Sequence, residues 1–303
     1  MSARDFRVAN WILPMAVVCS LLGAAMPARA QFGNILKKAQ DLSNSKQAQQ
    51  AKKVVASFQP MTADQEKDIG RGVAAKIVGH YHLLDNSGLT EYVNLVGATV
   101  AAQAPPRAGI DYHFAVLDSD WVNAFSTPGG YIFVTRGALA LCDDESELAG
   151  VLGHEVAHIT GKHVVKIIDK DREKQVGKEV GSDYAQKGPG WLQYVEKVGV
   201  NLAVNTLFRD GLPEKDEFEA DKVGVSYAHA AGYPADGLER FLAKLDVAKG
   251  QQGTSVMEHT HPPVPDRNAK IQQEIAGQNW QDADRPKLAD RYAMAVAALK
   301  PKS

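Results

Sequence analysis

Cysteine is almost absent from this sequence of 303 residues, which contains only Cys19 and Cys142. Cys19 falls in an N-terminal export signal that is predicted to be removed, so the mature protein would keep Cys142 alone. One cysteine cannot form an intrachain disulfide, and stability must then come from the hydrophobic core and from any bound metal. No metal-binding or nucleophile motif surrounds Cys142, which is predicted to be a small buried hydrophobic side chain.

An excess of either charge is also absent. The 34 Lys and Arg residues nearly balance the 36 Asp and Glu residues, for a net charge of −2. This balance argues against nucleic acid as a partner, because nucleic-acid-binding domains concentrate positive charge. The hydrophobic fraction of 45% is ordinary for a globular protein, and no internal repeat or low-complexity block interrupts the chain.

Hydrophobic runs of transmembrane length are missing too. The apolar run Trp11–Ala25 is shorter than the roughly 20 residues that a bilayer-spanning helix needs. It follows Arg4 and Arg7 and precedes Ala28-Arg29-Ala30, which is the layout of a cleavable secretory signal. Residues 1–30 are therefore predicted to be a signal peptide that exports the protein to the periplasm.

Two alternatives to a cleaved signal exist. The apolar run could stay as a membrane anchor, although its length fits a bilayer poorly. Lipidation of Cys19 is disfavoured, because Val18 stands where a lipidation site needs a small residue. Peripheral association of the exported protein with a membrane stays open.

The rest of the chain is predicted to fold as an α+β protein that is mainly α-helical. Residues 31–61 are interpreted as a polar arm or helix, residues 62–285 as the folded domain, and residues 286–303 as a C-terminal tail with helical character. Apolar periodicity, capping residues and turn signals predict helices over 62–78, 90–103, 143–158, 191–208, 234–249 and 265–275, another helix after Pro213, and strands over 112–117 and 131–135.

The segment His154-Glu155-Val156-Ala157-His158 lies inside one of these helices. Residues four apart share a helix face, so His154 and His158 can offer two imidazole rings to one zinc ion. Glu155 is predicted to be the general base that takes a proton from a zinc-bound water and passes it to the leaving amine. By chance the pattern should occur in only on the order of one chain in a hundred, so two ordinary helix histidines are the weaker interpretation.

A catalytic zinc also needs a third protein ligand and an open position. His163 is predicted not to be that ligand, because on a continued helix its side chain would point about 140° away from His158. It is expected at the surface or beside the ligands. Glu217 and Asp221 share a helix face, so one carboxylate could bind zinc while the other accepts the ring N–H of a ligand histidine. A solvated acidic face is the competing interpretation.

The sequence resembles the zinc metallopeptidases that include the CAAX prenyl proteases, the HtpX heat-shock proteases, the mitochondrial Oma-type proteases and the periplasmic BepA-like proteases. The likeness covers residues 62–275. The segments that carry it, in order, are Asn123-Ala124-Phe125, Pro128–Val134, His154–His158, Glu217–Asp221, and His261-Pro262-Pro263 with Arg267.

This resemblance implies roles for residues that spacing alone leaves open. It makes Glu217 the third zinc ligand and Asp221 the acid that orients a ligand histidine. It also implies that Asn123 hydrogen-bonds the substrate backbone, and that the strand entered through Gly129 and Gly130 presents an edge to an extended peptide.

The same resemblance implies that His261 and Arg267 lie over the zinc ion. There they would stabilise the oxyanion of the tetrahedral intermediate, where a cationic or N–H donor is needed. His261 could instead occupy the open zinc position and hold the enzyme latent.

Together these patterns predict a gluzincin core that binds one zinc ion per chain and has a small β-sheet beside the active-site helix. The predicted function is an endopeptidase that acts on unfolded, misfolded or misassembled cell-envelope proteins. The alternatives are a mostly latent zinc protein that acts as a chaperone-like quality-control factor, and a structural zinc domain. Glu155 distinguishes them, because a site that only binds zinc needs no general base beside its ligands.

Overall fold

The computed structural model describes residues 60–179, 198–248, 260–280, 282 and 284–299. The smaller of two units into which the chain divides, Met1–Val54, lies outside the described residues. The predicted signal peptide and nearly all of the predicted polar arm therefore lie outside them as well.

Side-chain caps define the first two helices of the described chain. These are α1 (Ala63–Tyr81) and α2 (Ser87–Ala101). Thr62 and Gln65 form a reciprocal capping box at the start of α1, which confirms the predicted start of that helix. The second helix begins earlier than predicted, because the side chain of Asn86 accepts a hydrogen bond of 3.0 Å from the Leu89 N–H and caps it.

A small sheet follows, built from β1 (His113–Leu117), β2 (Ala124–Ser126) and β3 (Tyr131–Thr135). Its strand order is β1-β3-β2, with β1 parallel and β2 antiparallel to β3. The strands β1 and β3 agree with the prediction. The strand β2 is missing from the prediction, because it has three residues that are all buried and so shows no alternation of polar and apolar side chains.

The strand order corrects one expectation about substrate binding. The strand that follows Gly129 and Gly130 is β3, and it lies in the middle of the sheet with hydrogen-bonded neighbours on both sides. It therefore has no free edge to offer a peptide. The edge strand next to it is β2, and no other strand of the described residues pairs with its outer side.

Two helices connect the sheet to the centre of the protein, α3 (Arg136–Leu141) and α4 (Glu145–Thr160). The side chain of Asp144 accepts from the Glu147 N–H and starts α4. Every residue of α4 from Glu145 to Ile159 is buried, so the helix that carries the His-Glu segment is the central element of the core.

Six more helices lie within the described residues. They are α5 (His163–Glu179), α6 (Val200–Asn205), α7 (Glu214–Ala230), α8 (Gly237–Ala248), α9 (Val264–Gln278) and α10 (Ala289–Ala295). Among them, α7 and α8 pack most extensively against α4. A π-helical turn, Thr206–Asp210, continues α6. The predicted helix 191–208 is thus seen only from residue 198, and its first part lies outside the described residues. Within the described residues, no helix is both long and apolar enough to cross a membrane.

The sheet separates two hydrophobic clusters. Alternation along β3 sends Ile132 and Val134 into the larger cluster, which surrounds α4, and sends Phe133 into a smaller cluster shared with α1, α5 and α6. Cys142 is buried in the larger cluster, as predicted. Tyr292 of α10 is also buried there, so the described part of the predicted tail packs onto the domain.

Two glycines allow α4 and α7 to cross at very short range. A Cβ atom on Gly153 would lie 2.5 Å from the carbonyl oxygen of Gly224, and one on Gly224 would lie 2.5 Å from the backbone nitrogen of His154. Any side chain at either position would push the helices apart. The crossing places the His-Glu segment of α4 against the acidic first turns of α7.

Candidate active site

Three side chains from α4 and α7 converge at this crossing. The Nε2 atoms of His154 and His158 are 2.9 Å apart, as expected for residues one helical turn apart on the same face. The carboxylate of Glu217 faces both rings. Its Oε2 lies 3.6 Å from His154 Nε2, and its Oε1 lies 3.6 Å from His158 Nε2.

The two 3.6 Å distances fit a tetrahedral zinc site, whereas the two histidine nitrogens, at 2.9 Å, lie somewhat closer together than such a site needs. Two donors that each lie about 2.1 Å from a tetrahedral ion are roughly 3.4 Å apart. The side chains of His154, His158 and Glu217 are buried, and Glu217 Oε1 has no hydrogen-bond partner. A buried carboxylate oxygen without a partner is costly unless a cation satisfies it. The donor set is therefore chemically suited to zinc.

Electrostatics prepare two of these groups to bind a cation. Burial lowers the pKa of His158 well below its usual value and outweighs the attraction of Glu217, so the ring stays neutral and keeps a lone pair. Burial also raises the pKa of Glu217, but His261 and His158 beside it outweigh burial and hold that pKa below its usual range. Glu217 is therefore a carboxylate at neutral pH.

Asp221 lies behind His154. Its Oδ1 is 2.9 Å from His154 Nδ1, on the side of the ring away from Glu217. Burial lowers the pKa of His154, but the hydrogen bond to Asp221 and the negative charges of Asp221 and Glu217 together outweigh burial and raise that pKa. A carboxylate in this position fixes the orientation of the ring and makes its other nitrogen more basic, which is the arrangement that the resemblance implies for Asp221.

Arg267 differs from the expected position. Its Nε and a terminal nitrogen donate to the two carboxylate oxygens of Asp221 at 2.8 and 2.6 Å, and the same terminal nitrogen is 3.4 Å from His154 Nδ1. The guanidinium is buried on the Nδ1 side of the His154 ring, not on the Nε2 side that faces Glu217. Arg267 is thus placed to hold Asp221 rather than to contact an oxyanion.

His261 does lie next to the ligands. Its Nδ1 forms a short hydrogen bond with Glu217 Oε2. Ligand atoms of His154, Glu217 and His261 all lie within 4.8 Å of one another. The histidine therefore contacts Glu217, the predicted third ligand, directly.

Glu155 lines an open cleft whose free volume is about 350 Å³, including the solvent at its mouth. The other lining residues come from β2, the π-helical turn, α4, α7 and the loops around them: Asn123, Ala124, Phe125, Ser126, His158, Thr206, Leu207, Gly211, Leu212, Glu217, Thr260 and His261. Burial raises the pKa of Glu155, although His154, His261 and a hydrogen bond from Ser126 oppose the shift. A carboxylate with a raised pKa accepts a proton more readily than an ordinary one.

Asn123 is in this cleft, but Gly129 and Gly130 are not. The Gly129 N–H donates to Glu66 Oε1 at 3.0 Å, and the Gly130 N–H faces the carbonyl of Thr127 at 3.4 Å. Both glycines have positive φ, and a Cβ on Gly130 would lie 1.9 Å from the carbonyl oxygen of Asp111. They form the turn into β3, and their N–H groups are hydrogen-bonded within the protein, so they do not bind a substrate.

His163 is buried beside His158, so of its two expected places the one beside the ligands is correct and the one at the surface is wrong. The prediction assumed one continuous helix, but α4 ends at Thr160 and Lys162 adopts a left-handed φ of 55° before α5 begins. This turn brings His163 back over the active-site helix, where its Nδ1 is 2.8 Å from His158 Nδ1. Ser126 is another residue at the site that sequence patterns do not identify.

Comparison with known proteins agrees with this geometry. A family model for peptidase family M48 matches residues 89–275, which is more than half of the chain. The matched region begins in α2, ends in α9 and includes His154, Glu155, His158, Glu217, Asp221, His261 and Arg267.

Relatives of known name match a similar part of the chain. It is 26% identical over 209 residues to the beta-barrel assembly-enhancing protease of Escherichia coli (strain K12), covering 67% of this chain and 42% of that protein. It is 25% identical over 220 residues to the mitochondrial metalloendopeptidase OMA1 of Schizosaccharomyces pombe, covering 71% and 63%. The chain thus spans less than half the length of the Escherichia coli relative.

Proposed function

Because the chain belongs to peptidase family M48, we propose that it is a zinc-dependent endopeptidase with a gluzincin-type site. The observation that carries this proposal is the convergence of His154, His158 and Glu217 beside a buried Glu155 at the base of a cleft. Those three side chains would hold one zinc ion. When bound there, zinc supplies a Lewis acid that polarises a carbonyl and lowers the pKa of water to about 7.

The side chains of the chain itself supply the rest of the reaction. Glu155 takes the proton of the attacking water and returns it to the leaving amine, a task suited to its raised pKa. Asp221 keeps the lone pair of His154 Nε2 directed at the zinc site. His261 is the side chain nearest the ligands that could donate to the developing oxyanion, while Arg267 acts behind His154.

The cleft suits an extended and unfolded peptide. The outer edge of β2 lies beside Glu155, so a substrate strand could add to the sheet there and bind mainly through its backbone. Asn123, directly before β2, lines the same cleft, which supports a contact between its side chain and that backbone. Binding through main-chain groups selects for unfolded segments rather than for one sequence, which fits misfolded or misassembled proteins of the cell envelope as substrates.

The signal predicted in residues 1–30 would bring the enzyme to the periplasm, where such substrates occur. The name of the Escherichia coli relative, a beta-barrel assembly-enhancing protease, supports this assignment. Substrates that fail to assemble would expose the extended segments that the edge of β2 can accept.

Removal of the metal tests the proposal directly. Purified protein loaded with one equivalent of zinc should hydrolyse an unfolded protein such as reduced casein, and a chelator should abolish that hydrolysis. Added zinc should restore it, because Glu155 alone cannot polarise the peptide carbonyl. Release of fluorescent peptides measures the rate. Activity that survives complete removal of the metal would rule out the zinc mechanism.

One contact favours a latent form of the enzyme as the second candidate. His261 is hydrogen-bonded to Glu217, and both side chains line the cleft. In this arrangement His261 would compete with a substrate carbonyl for the position beside Glu217. A protein that rests in this state would bind unfolded proteins far more often than it cleaves them, as a chaperone-like quality-control factor does.

The His261→Ala variant separates a latch from an oxyanion donor. If His261 mainly closes the site, its removal should raise basal hydrolysis of casein several-fold, and we expect this outcome because the ring is bonded to the third ligand. A fall in the rate would instead assign the oxyanion role to His261. An unchanged rate would argue against both roles. His80→Ala, at the end of α1 and away from the cleft, is the matched control.

A further inference from the structure

A second histidine pair extends behind the proposed metal site. The rings of His158 and His163 are nearly perpendicular, with centroids 5.0 Å apart, and their Nδ1 atoms are 2.8 Å apart. Both side chains are buried. At this distance one ring must donate its Nδ1 proton and the other must accept it through a lone pair.

The position of Glu217 decides which ring donates. His158 directs Nε2 at Glu217 Oε1 and at His154, so that nitrogen must be the one that offers a lone pair to a cation. A neutral imidazole carries one proton, and the proton of His158 is then on Nδ1. His158 is therefore the donor, and Nδ1 of His163 is the acceptor.

The surroundings of His163 favour the tautomer that this requires. With Nδ1 as acceptor, its proton sits on Nε2, which faces Glu219 Oε2 at 3.9 Å and has no closer hydrogen-bond partner. Asp216 lies within 4.8 Å in the same group. An N–H directed at two carboxylates is electrostatically favourable, whereas a lone pair directed at them is not.

The same reasoning argues against a second metal site here. His163, Asp216 and Glu219 are close enough together to hold an ion. An ion at His163 Nε2 would need the lone pair that the acceptor tautomer places on Nδ1. The two uses compete, and the contact with His158 is the shorter one.

We propose that His163 is a positioning residue of the metal centre, which accepts the Nδ1 proton of His158 and so holds His158 Nε2 towards the ion. This inference rests on the proposed zinc site. Asp221 does for His154 what His163 does for His158, so each ligand histidine has its own acceptor on the side away from Glu217.

Gly161 provides the space that this arrangement needs. A Cβ atom on Gly161 would lie 2.3 Å from His163 Nε2 and 2.9 Å from two ring carbons. The backbone of Gly161 is right-handed helical, with φ −70° and ψ −12°, so alanine is allowed there on conformational grounds. Substituting alanine would therefore act through the ring of His163 and not through strain in the turn.

Zinc affinity of the full-length protein tests the proposal, and it is measured by competition with a chromophoric chelator. His163→Leu fills the space without an acceptor and should weaken zinc binding roughly 10–100-fold, the usual cost of losing such a partner. His163→Asn should bind zinc nearly as tightly as the wild type, because its Oδ1 takes the place of Nδ1. A purely structural role would not produce this rescue.

Gly161→Ala supplies an independent arm of the experiment. It should weaken zinc binding in the wild type but have no further effect in a His163→Ala background, where no ring can be displaced. Gly277→Ala in α9 is the matched control, since nothing lies within 4 Å of a Cβ there. Thermal unfolding of the metal-free proteins identifies any variant that fails to fold, and Gly161→Ala and His163→Asn still decide the question if His163→Leu does fail.

The outcomes separate this proposal from the one on which it rests. If the wild type binds no zinc, the proposed function and the positioning role both fail. If the wild type binds zinc and His163→Leu binds it equally well, only the positioning role fails. The same holds if His163→Asn is as weak as His163→Leu.

Discussion

The Glu155→Gln variant should hydrolyse unfolded proteins roughly 10²–10⁴-fold more slowly than the wild type, which is the usual contribution of a general base. Its affinity for zinc should stay unchanged. Glutamine has the shape of glutamate, but its amide cannot take a proton from water. Glu155 is not among the side chains that converge as ligands, so the donor set of His154, His158 and Glu217 is left intact.

Two measurements on the same preparation check this result. The rate of casein hydrolysis reports the chemistry, and the bound zinc per chain reports the metal site. Glu91→Gln, at an exposed position on α2, is the control for a change of one carboxylate to an amide. Full activity in the Glu155→Gln variant, or loss of its zinc, would remove Glu155 from the role of base.

The variant also decides between a protease and a binding factor. A chaperone-like function would leave the suppression of aggregation intact in the Glu155→Gln protein. If the variant also complements a deletion of its gene, and zinc-loaded wild type cleaves no unfolded protein, the proposed peptidase function is wrong.

The sequence predicts the parts of this site that depend on the local periodicity of a helix. Spacing on one helix was enough to pair His154 with His158, because an α-helix repeats every 3.6 residues. The same rule placed Glu217 and Asp221 on one face of α7, and the structure brings that face to the two histidines. The mainly helical α+β class and the strands β1 and β3 were predictable for the same reason.

The sequence does not predict the parts of the site that depend on breaks in a helix or on contacts between residues far apart in the chain. A continuous helix would carry His163 away from the ligands, but α4 ends at Thr160. This break is not predictable, because the left-handed residue Lys162 carries no strong sequence signal. The short strand β2 shows no alternation because both of its faces are buried. Arg267 is remote in sequence from Asp221, and only the packing of α9 against α7 reveals that they form a pair.

The buried ion pair of Arg267 and Asp221 should have the largest effect on stability. Both side chains are almost completely buried, and Asp221 accepts two hydrogen bonds from the guanidinium. Arg267→Met leaves a buried carboxylate without its cation, and Asp221→Asn leaves a buried cation without its carboxylate. Each single change should cost about 3–5 kcal/mol of the unfolding free energy of the metal-free protein, because removing one partner exposes the desolvation penalty of the other.

The double variant Asp221→Asn/Arg267→Met should be more stable than either single variant, because it leaves no unpaired charge. Urea unfolding of the four metal-free proteins measures this coupling. The matched control is the pair of Lys222 and Glu274, which joins the same two helices at 2.9 Å but has an exposed lysine. Lys222→Met should cost less than about 1 kcal/mol. Strictly additive losses in the double variant would show that the two buried charges do not depend on each other.

Zinc affinity of the same proteins reveals what the pair contributes beyond stability. Asp221→Asn weakens the acceptor for His154 Nδ1, so zinc binding should fall by roughly 10-fold or more and should not recover in the double variant. Stability would then return while metal affinity does not. That separation would mean that Arg267 makes it possible to bury a charged carboxylate behind His154, and that the charge serves the metal site rather than the fold.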